Sequence, residues 1–137
     1  MINAMSTSIS GLLAASTRAS TAANNIVNAY NTSTPAGGDN STAALRSARA
    51  YVPQRTLNVS GKNGGVIATT VPISPSSYEV YSPDNPVSNQ QGFVSVPNVD
   101  PVVEYAELIR ATHAYKANAA VIRTLNETFD AALDIIK

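Results

Sequence analysis

A chain of 137 residues is long enough for one domain with a modest core. Nine Lys and Arg balance nine Asp and Glu, so there is no basic field for nucleic acid, and the absence of cysteine excludes a disulfide framework and a thiolate metal site. Charged residues are only 13% of the chain, against about 25% in an ordinary soluble domain, so Ser, Thr, Asn and Ala fill a surface that suits being covered.

From residue 1 to about 30, Ile2, Met5, Ile9, Leu12, Ser16, Ala19, Ala23, Ile26 and Tyr30 recur in alternating steps of three and four, the spacing of a coiled-coil seam. The seam narrows to Ser and Ala in its middle, which would let a partner helix approach closely at Ala19 and Ala23. Arg18 is the only charge before residue 39. A solvated helix carries charge opposite its apolar stripe, so this pattern reads as burial on several sides. The same Ser, Thr and Asn content also fits a helix that is weak alone and ordered in an assembly. Ile9 to Ala15 is a short apolar run with no Lys or Arg before it, against a cleaved secretory leader, and the longest apolar runs are too short to span a bilayer.

Residues 31–99 read as a small β and irregular region. Pro35-Ala36-Gly37-Gly38-Asp39-Asn40 is loop composition. Leu57 and Val59 alternate with polar residues, Asn63-Gly64 offers a type I′ turn, and Val66, Ile67 and Val71 complete a hairpin pattern. Pro72, Pro75, Pro83 and Pro86 keep the next stretch extended around a short strand at Tyr78–Tyr81. Residues 92–97 alternate as another strand.

A helix is expected over residues 100–137, with Asp100 as N-cap and Pro101 at its first position. Its apolar stripe runs Val102, Tyr105, Leu108, Ala111, Tyr115, Ala119, Ile122, Leu125, Phe129, Leu133 and Ile136. Lys116, Arg123, Glu127, Asp130 and Asp134 gather on the opposite face. Two terminal seams with nothing else large enough to cover them should pair with each other. The expected fold is therefore mainly α with a small β insertion. Residues 1–30 and 100–137 form one discontinuous coiled-coil domain, and residues 31–99 form the β-hairpin and extended region between them.

Little in the chain asks to be an active site. His113 is the only histidine and has no carboxylate three or four positions away, so no metal cluster is expected. No serine lies in a nucleophile-elbow glycine pattern, and Gly61–Gly65 lacks the Lys-Ser/Thr of a phosphate loop. The sequons at Asn31, Asn40, Asn58 and Asn126 are matches that a chain this rich in Asn, Ser and Thr produces by chance. No catalytic, cofactor or metal site, no nucleic acid and no small-molecule substrate is expected.

Asn85-Pro86, Gly92-Phe93-Val94, Pro97-Asn98-Val99-Asp100, Glu104, Tyr115 and Ala117-Asn118 form a signature that resembles the flagellar basal-body rod protein family, and most closely its proximal-rod members. Arg18, Ala23-Asn24-Asn25-Ile26, Asn28, the loop Thr34-Pro35-Ala36-Gly37-Gly38 and the turn Gly64-Gly65-Val66 extend the resemblance over nearly the whole chain. Asn89 stands where the family usually has an acid, Phe93 where it has Tyr, and His113-Ala114-Tyr115-Lys116 where it has Arg-Ser-Tyr-Gln. The resemblance implies a structural protein of the periplasm-spanning rod, exported through the flagellar channel without cleavage. It also implies polymerisation through the terminal helices with copies of itself and other rod subunits, beside the basal-body rings and export gate. Seam and motif together nominate Ile9, Leu12, Ala19, Ala23, Asn24, Asn25, Ile26, Tyr115, Asn118, Ile122, Leu125, Phe129 and Leu133 as the assembly interface. Another secreted helical-assembly subunit, of needle, tail-tube or distal-rod type, would also fit helices flanking a β insertion. A small secreted hydrolase or glycan-binding module would need a catalytic constellation of which the sequence gives no sign.

Overall fold

A computed structural model describes residues 2–35, 50–62 and 64–135. The order is α1 (Ile2–Asn28), β1 (Gln54–Ser60), β2 (Val66–Pro72), β3 (Ser77–Tyr81), β4 (Phe93–Pro97) and α2 (Pro101–Asp134). Most of the loop read at 35–40, the sequon at Asn40 and the stripe residue Ile136 lie outside the described residues.

Helix α2 starts where the N-cap chemistry requires. Asp100 is extended (φ −98°, ψ 106°), and its Oδ1 accepts from the Val102 and Val103 amides at 2.9 and 3.4 Å. Asn98 fixes the approach to that cap, its amide donating to Ser76 O and its Nδ2 to Pro75 O, both at 2.9 Å. α2 then lies antiparallel on α1: Gly11 meets Asn118, Arg18 meets Glu107, and Asn25 meets Glu104.

β1 and β2 form an antiparallel hairpin whose ladder ends at Ser60 opposite Val66. Asn63 of the expected Asn63-Gly64 turn lies outside the described residues, and the ladder register corrects the tight turn to a connection of five residues, 61–65. Gly64 N–H bonds to Gly61 O, and Gly61 N–H to Gly65 O, each at 3.1 Å. Gly64 and Gly65 both have positive φ (86° and 81°), a region that costs a side chain-bearing residue energy, so the extra glycine lengthens the loop. The hairpin lies on α1: Val66 N–H donates to Ser10 Oγ at 3.1 Å and Thr56 Oγ1 to Thr21 Oγ1 at 3.2 Å. β3 and β4 pair antiparallel as a second hairpin, with Tyr81 and Phe93 edge to face at 5.4 Å. Asn89 closes its connection, with Oδ1 accepting from the Gln91 and Phe93 amides at 3.0 and 2.8 Å.

The buried set among the described residues is dominated by small side chains, Ala14, Ala15, Ala22, Ala29 and Ala111 with Ser8, Thr21, Ser33 and Ser95, and its largest fully buried members are Val94, Asn25 and Pro53. Helices separated by alanine and serine can approach more closely than helices separated by leucine. Close backbone approach and polar pairing, more than volume, therefore hold these elements together.

Candidate assembly interface

The helices pair one residue away from the seam that periodicity picks out. The positions of α1 turned towards α2 are Ser8, Gly11, Ala15, Arg18, Ala22, Asn25 and, just beyond its end, Ala29; all are buried or half-buried. These steps of three and four match the expected stripe displaced by one residue, about 100° around the helix. The expectation that the largest apolar residues mark the pairing seam is thus corrected. Small and polar residues won the contact because they permit close approach and mutual hydrogen bonding. On α2 the half-buried or buried positions are Pro101, Glu104, Glu107, Leu108, Ala111, Ala114, Asn118, Ala119, Ile122, Leu125, Phe129 and Ala132. The expected stripe is followed in the second half of the helix. In the first half Leu108 and Ala111 keep their places, whereas Val102, Tyr105 and Tyr115 are exposed and Glu104, Glu107 and Ala114 lie inward instead.

Three contacts define this seam. At Gly11 there is no room for a side chain, since a Cβ there would lie 2.6–2.9 Å from the side-chain atoms of Asn118. Asn118 is itself held by its Nδ2 donating to Ala114 O at 2.9 Å. One step along, Arg18 Nε donates to Glu107 Oε1 at 2.6 Å, and its Nη2 lies 2.5 Å from the same oxygen. The one charge of the amino-terminal segment is therefore used inside the subunit. At the third contact Asn25, fully buried, spends its whole amide. Nδ2 donates to Gln54 O (2.6 Å) and Glu104 Oε1 (2.8 Å), while Oδ1 accepts from Tyr51 OH (2.7 Å) and Gln54 N (3.1 Å). This one side chain ties α1 to α2 and to the start of β1.

The hub has a definite electrostatic character. Burial raises the pKa of Glu104; the Asn25 hydrogen bond opposes that, while the charges of Glu107 and Asp100 add to it. Tyr51 is raised too, by burial first and then by the Glu104 charge. Among the described residues no group of His, Asp and Glu could hold a metal ion, and His113 is exposed.

The nominated interface residues divide accordingly. Asn25 is buried within the subunit and Asn118 is packed against Gly11. Leu12, Ala19, Ala23 and Ile26 are half-buried on α1 beside its inward positions, and Ile122, Leu125 and Phe129 are half-buried on α2. Ile9, Asn24, Tyr115 and Leu133 are exposed. They are joined on the outside by apolar side chains that the stripe did not single out: Leu13 and Val27 on α1, and Val103 and Ile109 on α2. Val27 is 78% exposed, and Val102, a stripe residue, is 76% exposed. Gly11, Ala22, Glu104 and Glu107 were missed as seam residues. The signal for them is the recurrence of small residues at Gly11, Ala15 and Ala22 in register with Arg18 and Asn25.

Comparison with known proteins places these features in a family. Residues 90–135, which span β4 and α2, match the family model described as flagellar basal body rod FlgEFG protein C-terminal. The flagellar basal-body rod protein FlgC of Escherichia coli O6:H1 is 31% identical over 91% of this chain and 90% of its own length. FlgC of Salmonella typhimurium matches to the same extent. FlgC of Bacillus subtilis is 34% identical over 59% of this chain and 55% of its own length.

Proposed function

Because the chain belongs to the flagellar basal-body rod protein FlgC family, and so is a structural subunit of the rod that assembles with other basal-body components, we propose that it polymerises through the outer faces of its α1–α2 pair into the hollow proximal shaft. One observation carries this reading. The helices satisfy each other through small and polar residues, leaving Ile9, Leu13, Val27, Val102, Tyr105 and Ile109 exposed on the outside. Exposed apolar side chains on both helices are what a subunit destined for burial among others would present. α1 offers its neighbours no charge, since Arg18 is turned inward to Glu107.

The partners in this reading are copies of the chain and other rod subunits, with the basal-body rings and the export gate at its ends. The rod position spans the periplasm. In this reading the chain is exported with α1 retained, which its packing supports: Ser8, Gly11 and Ala15 belong to the helix pair, and losing α1 would strip α2 of its partner. As a shaft element the chain performs no catalysis. The nominated residues that are exposed or half-buried, Ile9, Leu12, Ala19, Ala23, Asn24, Ile26, Tyr115, Ile122, Leu125, Phe129 and Leu133, remain the proposed interface. Asn25 and Asn118 are reassigned to holding the subunit in shape.

The experiment is complementation in the chain's own host after deletion of its gene. Restored swimming, with the chain present in isolated basal bodies, is expected. Restored swimming with basal bodies that lack the chain would overturn the reading.

A further inference from the structure

The outward face of α2, opposite α1, carries two kinds of charge separated along the axis. Lys116 and Arg123 lie two turns apart, and Glu127 and Asp130 lie beyond them towards the carboxy-terminal end. All four are exposed, and within the described residues none has an ion-pair partner. Between the two cations lies a shallow groove of about 220 Å³, lined by Tyr115, Lys116, Ala119, Ala120 and Arg123. Its alanines make a low apolar floor flanked by positive charge.

The last turns of α2 carry the complementary features. Gly11 faces Asn118, and α1 begins nine residues earlier, so at the shared rise of about 1.5 Å per residue α1 runs out near Glu127. Beyond that level only Phe129 and Ala132 of the described residues of α2 are half-buried, and the rest are exposed. This end presents Glu127 and Asp130 together with Leu133 and Ile135, which are 59% and 85% exposed. The overhanging end is therefore acidic and apolar, where the groove is basic and apolar.

We propose that the groove between Tyr115 and Arg123 receives the overhanging end of α2 from a second copy of this chain. Glu127 lies level with Lys116, Asp130 lies over Ala119 and Ala120 between the two cations, and Leu133 packs beside the stem of Arg123. The two helices run parallel with an axial offset of roughly three turns, about 16 Å. Because the helices run parallel and are offset along their axes, the contact is head-to-tail and leaves one groove and one end free on every pair of copies. Such a contact propagates instead of closing. The charges set register and partner choice, and the apolar contact under them excludes water. This inference rests on the rod reading above and specifies one of its contacts.

The test is sedimentation equilibrium of the purified full chain, which does not depend on flagellar assembly. The mean mass should rise with concentration at low salt and fall towards the monomer at about 0.5 M salt, where screening acts within a few ångströms. Lys116→Glu with Arg123→Glu should remain monomeric, as should Glu127→Lys with Asp130→Lys. An equal mixture of the two variants should associate again, because each supplies the surface the other has lost. If either reversal costs helix content by circular dichroism, Lys116→Gln with Arg123→Gln replaces it and should weaken association several-fold. A monomeric original chain, unchanged association in the variants, or a mixture that stays monomeric would overturn the contact. If that happens in a chain that still restores swimming and enters basal bodies, the rod reading stands and only the copy-to-copy contact falls.

Discussion

Arg18 Nε and Glu107 Oε1 meet at 2.6 Å across the two helices, joining the lone charge of the first 38 residues to a helix 89 positions away in sequence. Both side chains are only about a quarter exposed. Their pairing fixes the axial register of α1 on α2. It also explains why α1 can be otherwise uncharged without losing its place.

Breaking that pair should loosen the helices without unfolding them. A charge-assisted hydrogen bond that is partly screened contributes about 1–2 kcal/mol. Arg18→Met and Glu107→Gln should each lower stability by about that much. The double variant should lose less than the sum, as a cycle of urea denaturations would measure. Additive losses would mean the two residues act independently.

Asn25 should be the costliest polar position. Asn25→Leu leaves the Gln54 amide and carbonyl and the Tyr51 hydroxyl without their partner, and each buried unmet group costs about 1–3 kcal/mol. A loss of at least about 2 kcal/mol is expected in denaturant. Asn24→Leu, on the exposed neighbour, should change stability by less than about 0.5 kcal/mol.

Gly11 separates helix propensity from packing. Replacing a mid-helix glycine by alanine ordinarily gains about 1 kcal/mol. Here the added methyl would press on Asn118, which its bond to Ala114 holds in place. Gly11→Ala is therefore expected to lower the melting temperature, and Gly11→Ala with Asn118→Ala to recover it. A simple rise in the single variant would show that the helices are not in close contact there.

Glu104 gives a pH dependence of defined sign. Its pKa in the fold lies above the ordinary 4.5, mainly because burial penalises the charged form. Between the unfolded and folded pKa values the native state binds more protons, so stability falls as pH rises through that window. Glu104→Gln, which keeps an acceptor for Asn25, should flatten the fall. Denaturation of both proteins at about pH 4 and about pH 7 would check it. An original chain that gains stability relative to the glutamine variant on going to neutral pH would contradict the assignment.

Much of the fold was legible because its signals are local. Asp100-Pro101 declares the start of α2, and the alternation around Leu57, Val66 and Tyr78 declares the strands. Periodicity also gave two paired terminal helices. It misjudged which side of α1 pairs, because a period of three and four is satisfied equally well by two stripes one residue apart. The choice between them depends on how closely backbones can approach. That was visible only in the smallness of Gly11, Ala15 and Ala22, set beside Arg18 and Asn25. The length of the 61–65 connection escaped for a similar reason: Asn63-Gly64 satisfies a tight turn locally, while the ladder register is set by the strands on either side.

The most direct test of the account compares an inward residue with an outward one on the same helix. Ala22, buried against α2, and Val27, turned away from it, should fail in different ways. Ala22→Leu overfills a close contact, at a typical cost of about 1–3 kcal/mol, and should destabilise the purified chain. Val27→Asp should leave the purified chain's helix content and melting temperature unchanged. In the deletion host it should nevertheless abolish swimming and the chain's incorporation into basal bodies, with expression and export verified. If Val27→Asp assembles and swims like the original, the outer face of α1 is not an assembly surface, and the division into inner and outer faces fails.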